Sequence, residues 1–351
     1  MIKFFRKFRQ KMLTENKFSK YLLYAFGEII LVIIGILIAL SINNWNEEKK
    51  LEQEVTTYLK NASDFIYNTA DNTFELVRIQ MKDSVQSSFL KKDSAIYKSN
   101  TLKGFTRDPL YFYSNSEFNW DNSFDIVLEN QKLYPDKYDE IIRLLREMKA
   151  VKEGFINESA NTLLMMTEEN ENIIASKFEW YPYTDQESDA KRKAYYFTDF
   201  QYYNRLYNFR IIHSRWASQT LRLRALQIEL WIELKLMNAF EDNTTFQEGL
   251  QKYDMNELQV IGCKAEDEPA EKSIHDFFSW SVLINTTEDT LFFTRSDMMQ
   301  NGEYRWIEHV LPGEAKTVSS RINSDSYLMI LEDKKCTKQL IGEINGYWIN
   351  E

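Results

Sequence analysis

The chain has 351 residues, and its 10 Gly and 5 Pro against 23 Phe, 20 Tyr and 8 Trp exclude a turn-rich all-β or low-complexity chain and favour long helices with heavy aromatic packing. The formal charge of −10 conceals an asymmetry: residues 1–20 hold seven Lys/Arg (Lys3, Arg6, Lys7, Arg9, Lys11, Lys17, Lys20) against Glu15, a local +6 that leaves −16 on the other 331. A chain so divided suits an anionic lipid surface at its basic end and disfavours nucleic acid along its acidic bulk. Its length exceeds what one core usually fills, so two folded units are expected beside any membrane segment.

Residues 1–20 place Ile2, Phe5, Phe8 and Met12 among Lys and Arg, the pattern of an amphipathic stretch lying on the inner leaflet. From Leu22 to Ile42 the chain reads LLYAFGEIILVIIGILIALSI, 21 residues with one charge. At helical rise that crosses roughly 30 Å of hydrocarbon. We assign residues 21–43 to a transmembrane helix with Tyr21 and Trp45 at its interfaces. The basic cluster precedes this span and Asn43-Asn44-Trp45-Asn46-Glu47-Glu48 follows it, which puts the N-terminus in the cytoplasm and the C-terminal bulk in the periplasm. The competing reading is a cleaved signal peptide ending at Ala39-Leu40-Ser41, against which the length of the apolar run argues. Glu28 is the one ionisable group within the span, and with Val32, Gly35 and Ala39 it shares a helical face. Gly35 and Ala39 form a small-xxx-small pair that permits close helix contact, so homo-oligomers or a membrane partner can form here. Alternatively Glu28 reaches back to the inner headgroups beside Lys20.

The residues Asn16-Lys17, Tyr21-Leu22-Leu23-Tyr24-Ala25, Gly27-Glu28-Ile29, Gly35-Ile36-Leu37-Ile38-Ala39-Leu40 and Asn43-Asn44-Trp45-Asn46 resemble the N-terminal signature of an uncharacterised family of small single-pass, membrane-anchored proteins from Bacteroidetes-type bacteria. The resemblance covers about the first 50 residues. It implies a Gram-negative cell envelope and supplies no activity or cofactor.

Residues 44–245 read as an extracytoplasmic helical bundle. Leu51, Val55, Tyr58, Ala62, Phe65 and Thr69 recur at 4-3-4-3-4 spacing, continued by Leu76 and Ile79. A second helix runs from about Pro135 to Lys177 with Tyr138, Ile141, Leu145, Met148, Phe155 and Leu163 on a face. A third, from about Gln201 to Phe240, carries Leu206, Phe209, Trp216, Leu223, Leu230, Leu234 and Met237. A shorter helix around Trp120–Asn130 completes four in an antiparallel, long-helix bundle. The two connecting stretches hold Tyr111, Phe112, Tyr113, Phe118, Trp120 and Phe124, then Trp180, Tyr181, Tyr183, Tyr195, Tyr196 and Phe197. Trp120, Trp180, Tyr181 and Tyr183 are ligand-cleft candidates if these stretches meet at one end of the bundle, and the competing reading is plain packing. Arg205, Arg210, Arg215, Arg222 and Arg224 are expected to pair with acids such as Glu168, Glu169 and Glu171.

Over residues 255–351 the apolar period becomes two: Val260, then Phe278, Trp280, Val282 and Ile284, then Tyr304, Trp306 and Glu308, then Tyr327, Met329 and Leu331. Asn301-Gly302 and Pro312-Gly313 read as hairpin turns, and the whole as a small C-terminal β-sandwich, making the fold class α+β. Asn285, Asn301-Gly302-Glu303, Leu311-Pro312-Gly313-Glu314, Arg321-Ile322 and Asp333 resemble the β-domain of the von Hippel-Lindau tumour suppressor and its bacterial relatives. That family's hydroxyproline site uses Ser, His and Trp where this chain has Asn323, Tyr327 and Met329, so the resemblance implies a fold without that activity. Cys263 and Cys336 are the only cysteines and are candidates for a structural disulfide on the oxidising side of the membrane, with buried free thiols as the alternative.

His213, His275 and His309 are scattered, and no His-Glu-x-x-His, Cys-x-x-Cys, phosphate-cradling Gly loop or Gly-x-Ser-x-Gly elbow exists. We expect no metal, cofactor or catalytic residue, and read His213 as a core histidine near Trp216. The expectation is therefore a non-enzymatic, membrane-anchored envelope protein that binds or scaffolds a protein or glycan partner. A transmembrane sensor or signalling component is the second reading and a hydrolase with an unrecognised site the third.

Overall fold

The computed structural model describes residues 18–80, 89–92, 108–112, 120–183, 186–237, 246–253, 255–257, 259–261, 277–295, 299–300, 303–304, 306–322, 328–332, 335–341 and 346–348. The basic segment 1–17, Tyr113, Phe118, Cys263, His275, Asn301-Gly302, Asn323, Tyr327 and Asp333 lie outside the described residues, as do the side chains of Leu76 and Ile79. The chain divides into two compact units, Met1–Thr57 and Tyr58–Glu351. The expected boundary near residues 245–255 falls inside the second.

The chain is mostly helical. Its described α-helices are α1 (Phe18–Gln80), α2 (Asn122–Glu129), α3 (Asp139–Val151), α4 (Asn157–Lys177), α5 (Gln186–Thr198), α6 (Phe200–Leu236) and α7 (Phe246–Lys252). Two of them start on aspartates that satisfy orphan N–H groups of the first turn: Asp121 accepts from Ser123 N at 2.7 Å and Asp199 from Tyr202 N at 2.6 Å. In the part of α1 within the second unit, Leu59, Ala62, Ile66, Ala70 and Val77 are buried. Of the expected line, Ala62 is among these buried residues, while Tyr58, Phe65 and Thr69 flank them and are half-buried. The smaller side chains face inward and the rings flank them, as where Phe65 meets Phe124 edge-on at 5.7 Å.

The helix expected over 135–177 is α3 and α4 joined by a π turn, Lys152–Ile156. A π turn holds more residues than an α turn, so the inward slot moves along by one. Ile156 is consequently buried, and Phe155, expected on the apolar face, is 37% exposed. Both α3 and α4 pack on α6. The face read for α6 holds for Leu206, Phe209, Trp216, Leu223, Leu230 and Leu234, all buried, while Met237 caps the helix and is half-buried. Ala225 to Ile232 are buried all round. An all-round buried helix needs cover on every side, and here β-structure packs against α6 as well as the other helices.

That β-structure comprises β1 (Asn256–Glu257), β2 (Gln259–Ile261), β3 (Phe277–Asn285), β4 (Leu291–Arg295), β5 (Met299–Gln300), β6 (Glu303–Tyr304), β7 (Glu308–Val310), β8 (Ala315–Ile322), β9 (Leu328–Glu332), β10 (Lys335–Ile341) and β11 (Gly346–Trp348). The strands form a four-stranded sheet, β1-β11-β3-β8, a five-stranded sheet, β2-β10-β9-β4-β7, and the β5-β6 pair. Leu283, Leu291, Phe293, Val310, Val318 and Ile330 make one buried cluster to which both larger sheets contribute. The alternation read through Tyr304, Trp306 and Glu308 breaks at Trp306, whose φ of +59° is left-handed. A bulky aromatic rarely adopts that backbone, and a strand cannot pass through it.

Pro312-Gly313 is a turn, with Gly313 at φ +77° supplying the left-handed residue. It is not a hairpin as expected, because β7 pairs with β4 whereas β8 pairs with β3, so the turn carries the chain from one sheet to the other. Asn285 anchors this crossing. Its carbonyl accepts from Gly313 N at 2.8 Å and its N–H donates to Glu314 O at 3.0 Å. Its amide donates to Asp289 O at 2.8 Å and Val310 O at 3.1 Å, and its Oδ1 accepts from Thr287.

Candidate functional site: an apolar helix, aromatic clusters and buried carboxylates

The first part of α1 contains the one described helix long and apolar enough to cross a membrane; its most apolar 18-residue window has a mean hydropathy of 2.7 and no buried residue. Phe26 is 63% exposed and Leu31 71%. So long an uncovered apolar surface is uncommon on water-exposed proteins and matches hydrocarbon. Glu28, half-buried, lies on the same face as Gly35 and Ala39. No atom comes within 4 Å of a Cβ built on Gly35, so the small-residue surface is open for another helix to approach. At the polar exit Lys49 lies over the Trp45 ring at 5.3 Å and Asn43 donates to Glu47 at 2.9 Å.

The aromatic candidates do not converge. Trp120 packs edge-on against Phe124 at 4.9 Å, donates from Nε1 to Asp125 at 2.9 Å, and lies under Lys152 at 5.1 Å. Trp180 is buried, stacks on Phe178 at 5.0 Å and is covered by Arg192 at 5.4 Å. Lys152 precedes α4 and Phe178 follows it, so the two groups sit at opposite ends of a 21-residue helix. That is roughly 30 Å of separation. Trp120 and Trp180 therefore do not line one cleft; Tyr181 and Tyr183 face solvent, and Arg192 fixes their turn by donating to Tyr183 O at 2.8 Å. His213 is buried between Phe209 and Trp216, in ring contact with both.

Of the arginines of α6, Arg222 pairs with an acid, as expected, though on α3 rather than α4, and Arg205 and Arg215 take other partners. Arg205 donates to Asn170 at 3.3 Å and to the Tyr195 hydroxyl, Arg215 lies over Phe155, and Arg222 pairs with Glu147 at 2.7 Å. Glu168, Glu169 and Glu171 are exposed on α4, which turns Leu163, Thr167, Asn170 and Ile174 inward.

Two buried carboxylate sites went unread in the sequence. Asp108 accepts from Leu110 N at 2.8 Å, Tyr202 OH at 2.7 Å and Asn170 Nδ2 at 2.7 Å, tying a loop to α4 and α6. Burial holds its carboxyl above the ordinary range against the pull of these donors. On α6, Glu229 accepts from Thr317 N at 2.6 Å and Glu233 from Ala315 N at 3.1 Å. β8 is the outer strand of its sheet, and Thr317 and Ala315 lie two apart, so both amides point away from β3. Two acids one helical turn apart match that repeat and close the sheet edge. In a chain with 53 acids their one sequence signal is position: they interrupt the otherwise apolar run around Leu230, Trp231, Ile232 and Leu234.

These groups satisfy one another or backbone amides, and no cluster of three or more His, Cys, Asp or Glu able to hold a metal occurs among the described residues. A family model described as "Family of unknown function (DUF6090)" matches residues 28–99. No curated protein and no solved structure matches the chain. The match starts at Glu28 and takes in Gly35, Ala39 and the rest of the apolar stretch, whereas Trp120, Trp180, both carboxylates of α6 and all the strands lie beyond it.

Proposed function

We propose that the chain is a non-enzymatic, single-pass protein of the bacterial inner membrane, with its N-terminus in the cytoplasm and its folded bulk in the periplasm, where it binds or scaffolds a protein or glycan partner. The observation that carries this reading is the uncovered apolar window of α1 together with its flanks. Seven cations precede it and Glu47 and Glu48 follow, the asymmetry that orients single-span proteins. In finer terms the fold is an antiparallel bundle around α6 with a β-sandwich whose two sheets enclose the Leu283–Phe293–Val318 cluster. A binding rather than catalytic role is favoured because the buried polar groups anchor loops and a sheet edge instead of lining a cleft.

Crosslinking in cells followed by mass spectrometry tests the role. Recovery of envelope-assembly proteins or glycan-bearing peptides on the chain supports scaffolding. Recovery of a histidine kinase or a sigma-factor regulator would replace it with signalling.

A further inference from the structure

We infer that the joint between α6 and β8 is a proton-responsive latch, held tighter when Glu229 carries a proton and loosened as it ionises. The geometry is specific. Glu229 is 2% exposed, its Oε2 receives the Thr317 amide at 2.6 Å and its Oε1 lies 3.3 Å from the Arg143 guanidinium. That guanidinium is shared: Glu140 and Glu147, also on α3, bind the same Arg143 at 2.5 and 3.0 Å. One cation thus faces three carboxylates, and Arg222 on α6 is committed to Glu147 at 2.7 Å. From the β side, β3 has no charged residue in Phe277–Asn285, and Lys316 of β8 is occupied with Glu308 at 3.2 Å and His309 O at 3.1 Å. One turn along α6, Glu233 accepts from Ala315 N, faces Glu140 and Glu314, and is likewise raised by burial.

Burial of a carboxylate favours its neutral form, and too few cations are at hand to reverse this. Burial accordingly pushes the Glu229 carboxyl up to about 7, opposed by the Thr317 side chain and amide and then by Arg143. The sign follows from linkage. With its pKa higher in the latched state than in the open one, Glu229 contributes fully below the ordinary carboxylate pKa of 4.5 and loses that contribution as pH rises through about 7. Between pH 5.5 and 8.5 the closed-to-open ratio should fall on the order of 30-fold. Protonation leaves the carbonyl oxygen free to accept the Thr317 amide, so the edge contact persists in the neutral form.

The test is hydrogen exchange of the full-length, detergent-solubilised chain, followed on peptides covering Ala315–Ile322 and expressed as protection relative to the intrinsic rate at each pH. Wild type should lose protection as pH rises from 5.5, by tenfold or more, and level off above about pH 7, and Glu229→Gln should lose most of that fall, leaving the smaller part that Glu233 contributes. A flat wild-type profile, or an undiminished fall in Glu229→Gln, would overturn the latch. Should that variant fail to fold, Arg143→Met decides: loss of the cation moves the levelling-off to higher pH if Glu229 titrates, and a levelling-off left in place would overturn the assignment.

Discussion

Gly249 lies directly beneath Trp231: a Cβ built on it would overlap the indole ring well inside van der Waals contact. The ring cannot readily yield, being fully buried, stacked on Phe246 at 6.2 Å and edge-on to Tyr253 at 5.6 Å. This contact seats α7 against α6, and α7 is further tied to α1 by Lys252, which lies over the Tyr67 ring at 3.8 Å. Gly249→Ala should therefore destabilise the fold by about 1–3 kcal/mol, the usual penalty for overpacking. Gly154, with open space around its Cβ, is the control. Gly154→Ala should be neutral or mildly stabilising on helix propensity. Urea denaturation followed by tryptophan fluorescence checks both, and equal midpoints for the two variants would show that the close approach does not matter.

Asp108 supplies acceptors to three donors, and Asn170, one of those donors, offers its own oxygen to Arg205. Asp108→Asn turns one acceptor into a donor facing the Asn170 amide, and flipping Asn170 would break its bond to Arg205. The expected loss is about 1–3 kcal/mol. Adding Asn170→Asp reverses the donor and acceptor roles and should restore part of it. A double variant no more stable than the single one would contradict this direction of the network. Because burial raises the Asp108 carboxyl above its ordinary 3.8, the aspartate's own contribution weakens as pH rises, so the variant's deficit should be larger in acid than in alkali.

The sequence made the apolar helix and the α6 core legible, because both repeat one residue class at helical spacing over many turns. It hid α5, where Ser188 and Arg192 take two of the buried positions that apolar residues would mark. Phe155 leaves the apolar face because of a single π turn, which no periodicity announces. The β period located β3, whereas the parallel return of β11 onto β3 depends on pairings far apart in sequence. Pairing partners were the least legible: Arg222 finds Glu147 75 residues away, while the nearer acids of α4 point to solvent. The expected bridge between Cys263 and Cys336 falls partly outside the described residues; Cys336 stands opposite Leu331 in β10, where the register shifts.

The open face of Gly35 makes a prediction about association within the membrane. Gly35→Leu should insert normally, since leucine favours hydrocarbon, yet lose disulfide or chemical crosslinking between copies by blocking close approach. Glu28→Gln should also insert normally and weaken crosslinking through loss of a polar contact. Unchanged crosslinking in both variants would leave Glu28 as a residue that merely reaches the inner headgroups.

The central claim is that one crossing separates a short basic cytoplasmic end from everything after Asn43. Alkaline phosphatase, active only outside the cytoplasm, fused after Asn46 and after Glu351, tests it most directly when paired with a cytosol-only fluorescent reporter at the same two positions. Both phosphatase fusions should be active and both fluorescent fusions dark, with the chain recovered in the membrane fraction after alkaline washing. Fluorescence at either position with silent phosphatase would contradict the orientation, and release of the chain by the wash would contradict the anchor itself.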